Sequence, residues 1–354
     1  MHAPVLILAA VLAAGPVGPA LLTPAPLVSR GKRVESRPGG GRALVDGIYR
    51  TSNSWSGGQP TNDRPSWAAI ELGGGYTRLL AVWTSSHNHD WTERFYGAPE
   101  DYRLETSADS TDGANGTWRT AVAVSANPVR TRAHAVDFTG QRWLRMVVTK
   151  LPEKVHRWGL QLDEIDVHDL SKGGDDVWLF LGDSITAGVF DRAPGHQPSF
   201  AEAVARRHPG YHPAMIQVGK GNLHHPDALA LLERALALTP DARVVALGFG
   251  SNDWDPVAFR KDLIAVVERV RAAGKIPIVA RIPFRADAKE DFPARLDVVV
   301  DAVTRELGLV PGPDLYGGFK AHPERLSDGL HPDDAGSVEM SRLWAEAVER
   351  LYPR

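Results

Sequence analysis

The stretch Val177-Trp-Leu-Phe-Leu-Gly-Asp-Ser-Ile-Thr-Ala-Gly188 decides the fold of this 354-residue chain. It opens with five apolar residues in a row, the pattern of a strand buried on both faces. Gly182 follows at once, where a tight turn meets no Cβ clash, and Ser184 stands just past the end of the run. Three more runs of this kind lie downstream: Ala214-Met-Ile-Gln-Val218, Arg243-Val-Val-Ala-Leu247 and Ile276-Pro-Ile-Val-Ala280. Helix-period segments at 199–207, 226–238, 257–273, 293–307 and 335–351 alternate with them, and Gly274 closes the third. Apolar strands alternating with helices predict a parallel sheet covered on both faces, an α/β domain over residues 173–354. Ligands of such sheets bind beyond the carboxyl ends of the strands, which is where Ser184 falls.

Residues 43–172 have a different pattern. Trp67-Ala-Ala-Ile-Glu-Leu72, Leu79-Leu-Ala-Val-Trp83, residues 118–124 and Trp143-Leu-Arg-Met-Val-Val148 are short and rich in Trp, Val, Leu and Ile. Clusters of Gly, Asn, Asp and Ser separate them, and no long helix-period segment interrupts. Such spacing predicts an antiparallel sandwich. Residues 23–42, rich in Pro, Gly, Arg and Ser, are expected to be a linker. Residues 1–22 are apolar and Ala- and Leu-rich, with Gly18 and Ala20 suited to cleavage, and are expected to be an export signal. Pro16 and Pro19 interrupt that stretch, so it does not predict a spanning helix or a membrane anchor.

Bulk composition narrows the chemistry. A formal net charge of −3 gives no electrostatic case for nucleic acid or an anionic membrane. The absence of cysteine removes disulfides, thiolate metal sites, a cysteine nucleophile and a lipoprotein anchor together. The many tryptophans fall mostly in the first half, which suits both sandwich cores and sugar-binding faces.

Alone, Gly182-Asp-Ser is a weak signal, because these are common loop residues. Three further blocks add to it: Gln217-Val-Gly-Lys-Gly-Asn222, Gly248-Phe-Gly-Ser-Asn-Asp253 and Ser327-Asp-Gly-Leu-His-Pro332. In this order the four blocks resemble those of the SGNH/GDSL hydrolases. The resemblance implies a three-layer α/β, flavodoxin-like domain that hydrolyses esters with Ser184 as nucleophile, His331 as base and Asp328 as its partner. It also implies an oxyanion hole formed by the N–H groups of Ser184 and Gly221 with the side chain of Asn252. The segment around Lys220 departs from the usual pattern, so Gly219 stays open as the alternative to Gly221. Asp183 and Asp253 match positions that are more often structural than catalytic.

In the first half, Asp46-Gly-Ile48, Trp55, Trp67 to Gly73, Tyr102-Arg-Leu-Glu-Thr-Ser107, Trp118-Arg119, Arg142 to Val148 and Leu162-Asp-Glu-Ile-Asp-Val167 resemble discoidin-like, galactose-binding-type jelly rolls. That resemblance implies an all-β jelly roll which either binds carbohydrate or acts as scaffold. Jelly rolls of this type often hold a structural calcium, and Asp46 lies in a suitable place.

The chemistry explains why these residue types are needed. A serine hydroxyl is a poor nucleophile near neutrality and requires an adjacent base. An imidazole can take the proton and return it to the leaving alkoxide, and a carboxylate fixes its tautomer and stabilises its charge. Such a site uses no metal and no cofactor. The adjacent pair His224-His225 is a poor metal motif, since neighbouring side chains diverge and no carboxylate cluster accompanies them. His134, His156, His208, His212 and His322 are expected to be surface or packing residues.

Export and the leading jelly roll favour acetylated poly- or oligosaccharide as substrate, so the expected activity is that of a bacterial carbohydrate O-acetylesterase, secreted to the exterior or the periplasm. Trp254 and Asp255 after the third strand, and Arg281 and Phe284 after the fourth, are candidate pocket residues. One rival is a lipid or aryl esterase of the same family, which would prefer long acyl chains. The other is a non-catalytic carbohydrate-binding or adhesion protein. The sequence sets no oligomeric state.

Overall fold

A computed structural model describes residues 21–49, 54–85, 90–94, 97–155, 157–189, 196–288 and 291–353. The expected export signal lies almost wholly outside them, as does His156. No described helix is long and apolar enough to cross a membrane.

Among the described residues the first half is built from ten strands: β1 (Val34–Arg37), β2 (Trp55–Gly58), β3 (Ser66–Glu71), β4 (Arg78–Thr84), β5 (Asp101–Ser107), β6 (Arg119–Val124), β7 (Thr131–Asp137), β8 (Trp143–Lys150), β9 (Leu160–Leu162) and β10 (Glu164–Asp169). They form antiparallel sheets in the orders β1-β3-β8-β5-β6, β10-β4-β7 and β2-β9. Side chains alternate across a strand, and β4 shows what this does here. Leu79, Ala81 and Trp83 point into the core between the sheets, against Ile70, Leu104, Leu144 and Met146. Leu80 and Val82 point the other way and join the core of the second half. The outer face of the five-stranded sheet is covered by its own 107–118 loop. Arg145 lies 3.7 Å from the Trp118 ring centroid and donates to the Gly113 carbonyl at 3.5 Å.

The second half holds a five-stranded parallel sheet, β12-β11-β13-β14-β15, from β11 (Val177–Gly182), β12 (Ala214–Gly219), β13 (Val244–Gly248), β14 (Ile276–Val279) and β15 (Val310–Pro311). Its helices are α1 (Ser184–Val189), α2 (Phe200–Arg207), α3 (His225–Leu238), α4 (Pro256–Ala272), α5 (Phe292–Glu306), α6 (Leu315–Ala321) and α7 (Asp334–Ala347). Two apolar clusters, one on each face of the sheet, make the three-layer α/β arrangement. The edge strand β12 lies beside the first half, where Leu80, Val82, Trp91 and Ala133 pack in one core with Val218, Leu223 and Leu231. The two halves therefore share apolar burial, the main driving force of folding.

Residues 23–42 are not a linker. Leu22 N–H donates to Leu351 O at 2.8 Å, Thr23 N–H to the Asp175 carboxylate at 2.7 Å and Val28 N–H to Val167 O at 2.8 Å. Ala25 is fully buried, and β1 pairs with β3. Pro24, Pro26 and Pro38 prevent regular pairing over most of the segment, so it forms a strap whose remaining N–H groups find partners on both halves.

Asp46, the residue offered for a structural calcium, takes part in a local turn. Its Oδ1 accepts the Ile48 N–H at 2.9 Å. Nearby, Glu164 accepts the Gly47 N–H and Asp166 accepts the Tyr49 hydroxyl. Among the described residues no three acidic or imidazole side chains are grouped to hold a metal ion.

Candidate active site

The carboxyl ends of β12, β11 and β13, adjacent in the sheet, bring three of the four sequence blocks together. Gly182 ends β11, and a Cβ there would lie 2.0 Å from Thr186 Oγ1 and 2.2 Å from Gly248 O, so only glycine fits. Ser184 follows as the first residue of α1. Between them, the buried Asp183 carboxylate accepts the Ile185 N–H at 3.0 Å and both the N–H and the hydroxyl of Ser251. Burial raises this carboxyl group, and the Ser251 hydrogen bonds work against that rise. Asp183 thus ties the serine turn to the segment that carries Asn252.

The fourth block sits on the loop before α7. Ser184 Oγ lies 2.9 Å from His331 Nε2, and His331 Nδ1 lies 2.7 Å from Asp328 Oδ2. The other carboxylate oxygen, Oδ1, accepts the N–H groups of Leu330 at 3.0 Å and His331 at 2.7 Å. Partial burial raises the Asp328 carboxyl, but the His331 N–H, the His331 ring and the Leu330 N–H outweigh it and hold the group at about 2. It is therefore ionised at neutral pH and faces the ring nitrogen that carries a proton. Gly329 supports this tight turn with φ of +83°, a left-handed conformation that favours glycine.

The segment after β12 is anchored on several sides. Lys220 N–H donates to Gly182 O at 2.9 Å, and Leu223 N–H donates to Lys220 O at 3.2 Å. Asn252 Nδ2 donates to Leu223 O at 3.1 Å, which orients the amide and leaves its second hydrogen available. The two candidate glycines differ. A Cβ on Gly219 would lie 2.5 Å from Ala187 N, so this residue is a packing glycine. Gly221 has open space around it.

Residues 180–337 match the model of the GDSL-like lipase/acylhydrolase family. The parallel-sheet half of the chain carries a GDSL-family hydrolase domain. No curated protein matches the chain. Solved structures similar to it include an acetyl xylan esterase from Geobacillus stearothermophilus, 17% identical, covering 50% of this chain and 96% of that one with a TM-score of 0.43. A protein from Bacillus subtilis is 15% identical and covers 80% of each chain, with a TM-score of 0.46. An alpha/beta hydrolase from the metagenome of Lake Arreo, Spain, is 20% identical and covers 50% and 96%, with a TM-score of 0.42.

The four candidate pocket residues of the GDSL domain separate. Trp254 is 68% exposed, with its ring edge-on to His224 at a centroid distance of 6.0 Å. Asp255 is instead the N-cap of α4, accepting the N–H groups of Val257 at 2.9 Å and Ala258 at 3.2 Å. Arg281 has its guanidinium drawn among Asp314 at 3.0 Å, Asp297 at 3.4 Å and Asp301 at 3.7 Å. Phe284 packs edge-on against Tyr316 of α6, 5.9 Å between centroids. His224 and His225 diverge to different partners, Asp253 at 3.2 Å and Asp262 at 2.6 Å.

Sequence reasoning missed Arg285. Its Nη1 donates to Ser251 O at 2.8 Å, and its Nε donates to Asp287 at 2.8 Å. The same loop reaches the base: Ala286 N–H donates to Gly329 O at 2.8 Å. Arg285 therefore bridges the Asn252 segment and the loop that carries Asp328 and His331. Its basic charge next to the marked Phe284 was the only signal in the sequence.

Proposed function

We propose that this chain is a secreted serine esterase that hydrolyses acyl esters, with acetyl groups on carbohydrate as the preferred substrate. The observation that carries the reading is the continuous hydrogen-bond chain from Ser184 Oγ through His331 to the Asp328 carboxylate, at 2.9 and 2.7 Å. In this reading Ser184 Oγ attacks the ester carbonyl while His331 Nε2 takes its proton. The carbonyl π electrons move to the oxygen, which the Ser184 and Gly221 N–H groups and Asn252 Nδ2 stabilise. Collapse of that intermediate breaks the C–O bond, and His331 returns the proton to the leaving alkoxide. Water, activated by the same imidazole, then releases the acyl group from Ser184. Each oxyanion donor is worth about 3–4 kcal/mol of the barrier.

The substrate preference rests on the exposed indole of Trp254, two residues beyond Asn252, which is suited to stacking on a sugar ring. The first half has a weaker claim to the sugar, since the loop at 107–118 covers one sheet face and the GDSL domain covers another. Exposed Val257, beside Trp254, is the observation that favours a lipid or aryl ester instead. Acetate release from a panel of acetylated glycans, with Ser184→Ala as control, tests the reaction. Equal release by wild type and Ser184→Ala would sink it. A p-nitrophenyl ester series tests the acyl group: rates should be highest at acetyl, and a preference for about eight carbons or more overturns the acetyl preference alone.

A further inference from the structure

Trp91 belongs to the first half of the chain, yet its backbone N–H donates to Gly219 O of the GDSL domain at 2.8 Å. That carbonyl and the Lys220 N–H form one peptide group, and the Lys220 N–H donates to Gly182 O at 2.9 Å. One planar peptide is thus held at both ends, by the antiparallel half on one side and by β11 on the other. The next peptide joins Lys220 to Gly221. Its carbonyl accepts the Leu223 N–H at 3.2 Å, and its own N–H is that of Gly221. The donor assigned to the oxyanion hole is therefore one peptide removed from the bond that Trp91 makes.

Trp91 is well fixed for this task. It is fully buried, its indole N–H donates to Thr131 O at 3.0 Å, and its carbonyl accepts the Arg130 N–H at 3.0 Å. Arg234 of α3 lies 5.8 Å from its ring centroid. We propose that Trp91 is a positioning residue for ester hydrolysis, and that the antiparallel half is a built-in part of the hydrolytic site. The proposal rests on the reading of Gly221 as an oxyanion donor.

Three variants of the full chain test it: Trp91→Ala, Trp91→Phe and Leu80→Ala, the last opening the same shared core at a residue without a bond to Gly219. On p-nitrophenyl acetate, Trp91→Ala should lower kcat roughly 10- to 100-fold with KM changed less than about threefold, as expected for a slightly misplaced donor. Trp91→Phe, which keeps a ring in the core, should recover most of the loss. Leu80→Ala should lower Tm by several degrees but keep kcat within about threefold. Amide hydrogen exchange should accelerate at 219–223 in Trp91→Ala and not in Leu80→Ala. Unchanged exchange there in Trp91→Ala, or equal kcat losses in Trp91→Ala and Leu80→Ala, overturns the proposal. The exchange readout needs no activity. If hydrolysis proves independent of Ser184, the esterase reading fails while the contact itself is still tested.

Discussion

The two arms facing Ser184 are built in opposite ways. The base arm is local: Asp328 and His331 are three residues apart, and one carboxylate holds the ring and two N–H groups of its own loop. The oxyanion arm that we propose is assembled from distant segments: Gly219 to Leu223 after β12, Asn252 after β13 and Trp91 from the other half. A local arm depends on a few dihedral angles in one turn. A distributed arm depends on packing between elements, so it is open to perturbation from far away.

The largest expected effect separates the arms by chemistry. His331→Ala removes the only imidazole bonded to Ser184 among the described residues, and kcat should fall roughly 10⁴-fold or more. Asn252→Ala removes one donor of several, and kcat should fall about 10²- to 10³-fold with little change in KM. Measuring both on p-nitrophenyl acetate ranks the arms. Equal losses would break the distinction, because Asn252 would then be as indispensable as the base.

The same contrast explains what could be read from sequence. Asp328-Gly-Leu-His331 is legible because its whole geometry lies within one turn. The parallel sheet is legible because strands buried on both faces leave long apolar runs. Trp91 was not legible, since a backbone N–H donor leaves no mark on side-chain identity. Strand β1 was hidden because four residues among prolines and glycines carry too little alternation to register. Asp255 has a structural task that its place in the sequence signals. An Asp followed by Pro256 is a helix-start signal, and its carboxylate caps α4.

Arg285 sharpens the comparison because it joins the arms. Arg285→Ala leaves the Ser251 carbonyl without its guanidinium partner and frees the loop bonded to Gly329. A lost charge-assisted hydrogen bond costs about 1.5–3 kcal/mol in stability. The expected result is a roughly tenfold loss of kcat, partly restored by Arg285→Lys, with Tm lowered by a few degrees. An unchanged kcat with lowered Tm would mean that the bridge supports the fold and not the alignment.

The smallest effect is on stability against pH, and it should come from the half that carries Trp91. Trp83 Nε1 donates to Tyr102 OH at 3.1 Å, so that hydroxyl hydrogen is free to go to His134 Nε2, 2.6 Å away. The imidazole must then be neutral, and protonation would set two donors against each other. Burial, with Arg132 adding to it, pushes His134 down to about 3. An unfolded histidine takes a proton near 6.5 and the folded one does not, so stability falls as pH drops below about 6.5. At pH 5 the loss is at most about 2 kcal/mol. Asp328 has the same sign in a lower window: held at about 2, it favours the folded state above its ordinary value near 3.8 and loses that only below it. Between pH 6.5 and 5 acid should therefore weaken the antiparallel half without protonating Asp328. Tm measured at pH 7 and pH 5 should fall by a few degrees in wild type and by less in His134→Gln. An identical fall in both would place the acid-sensitive group elsewhere.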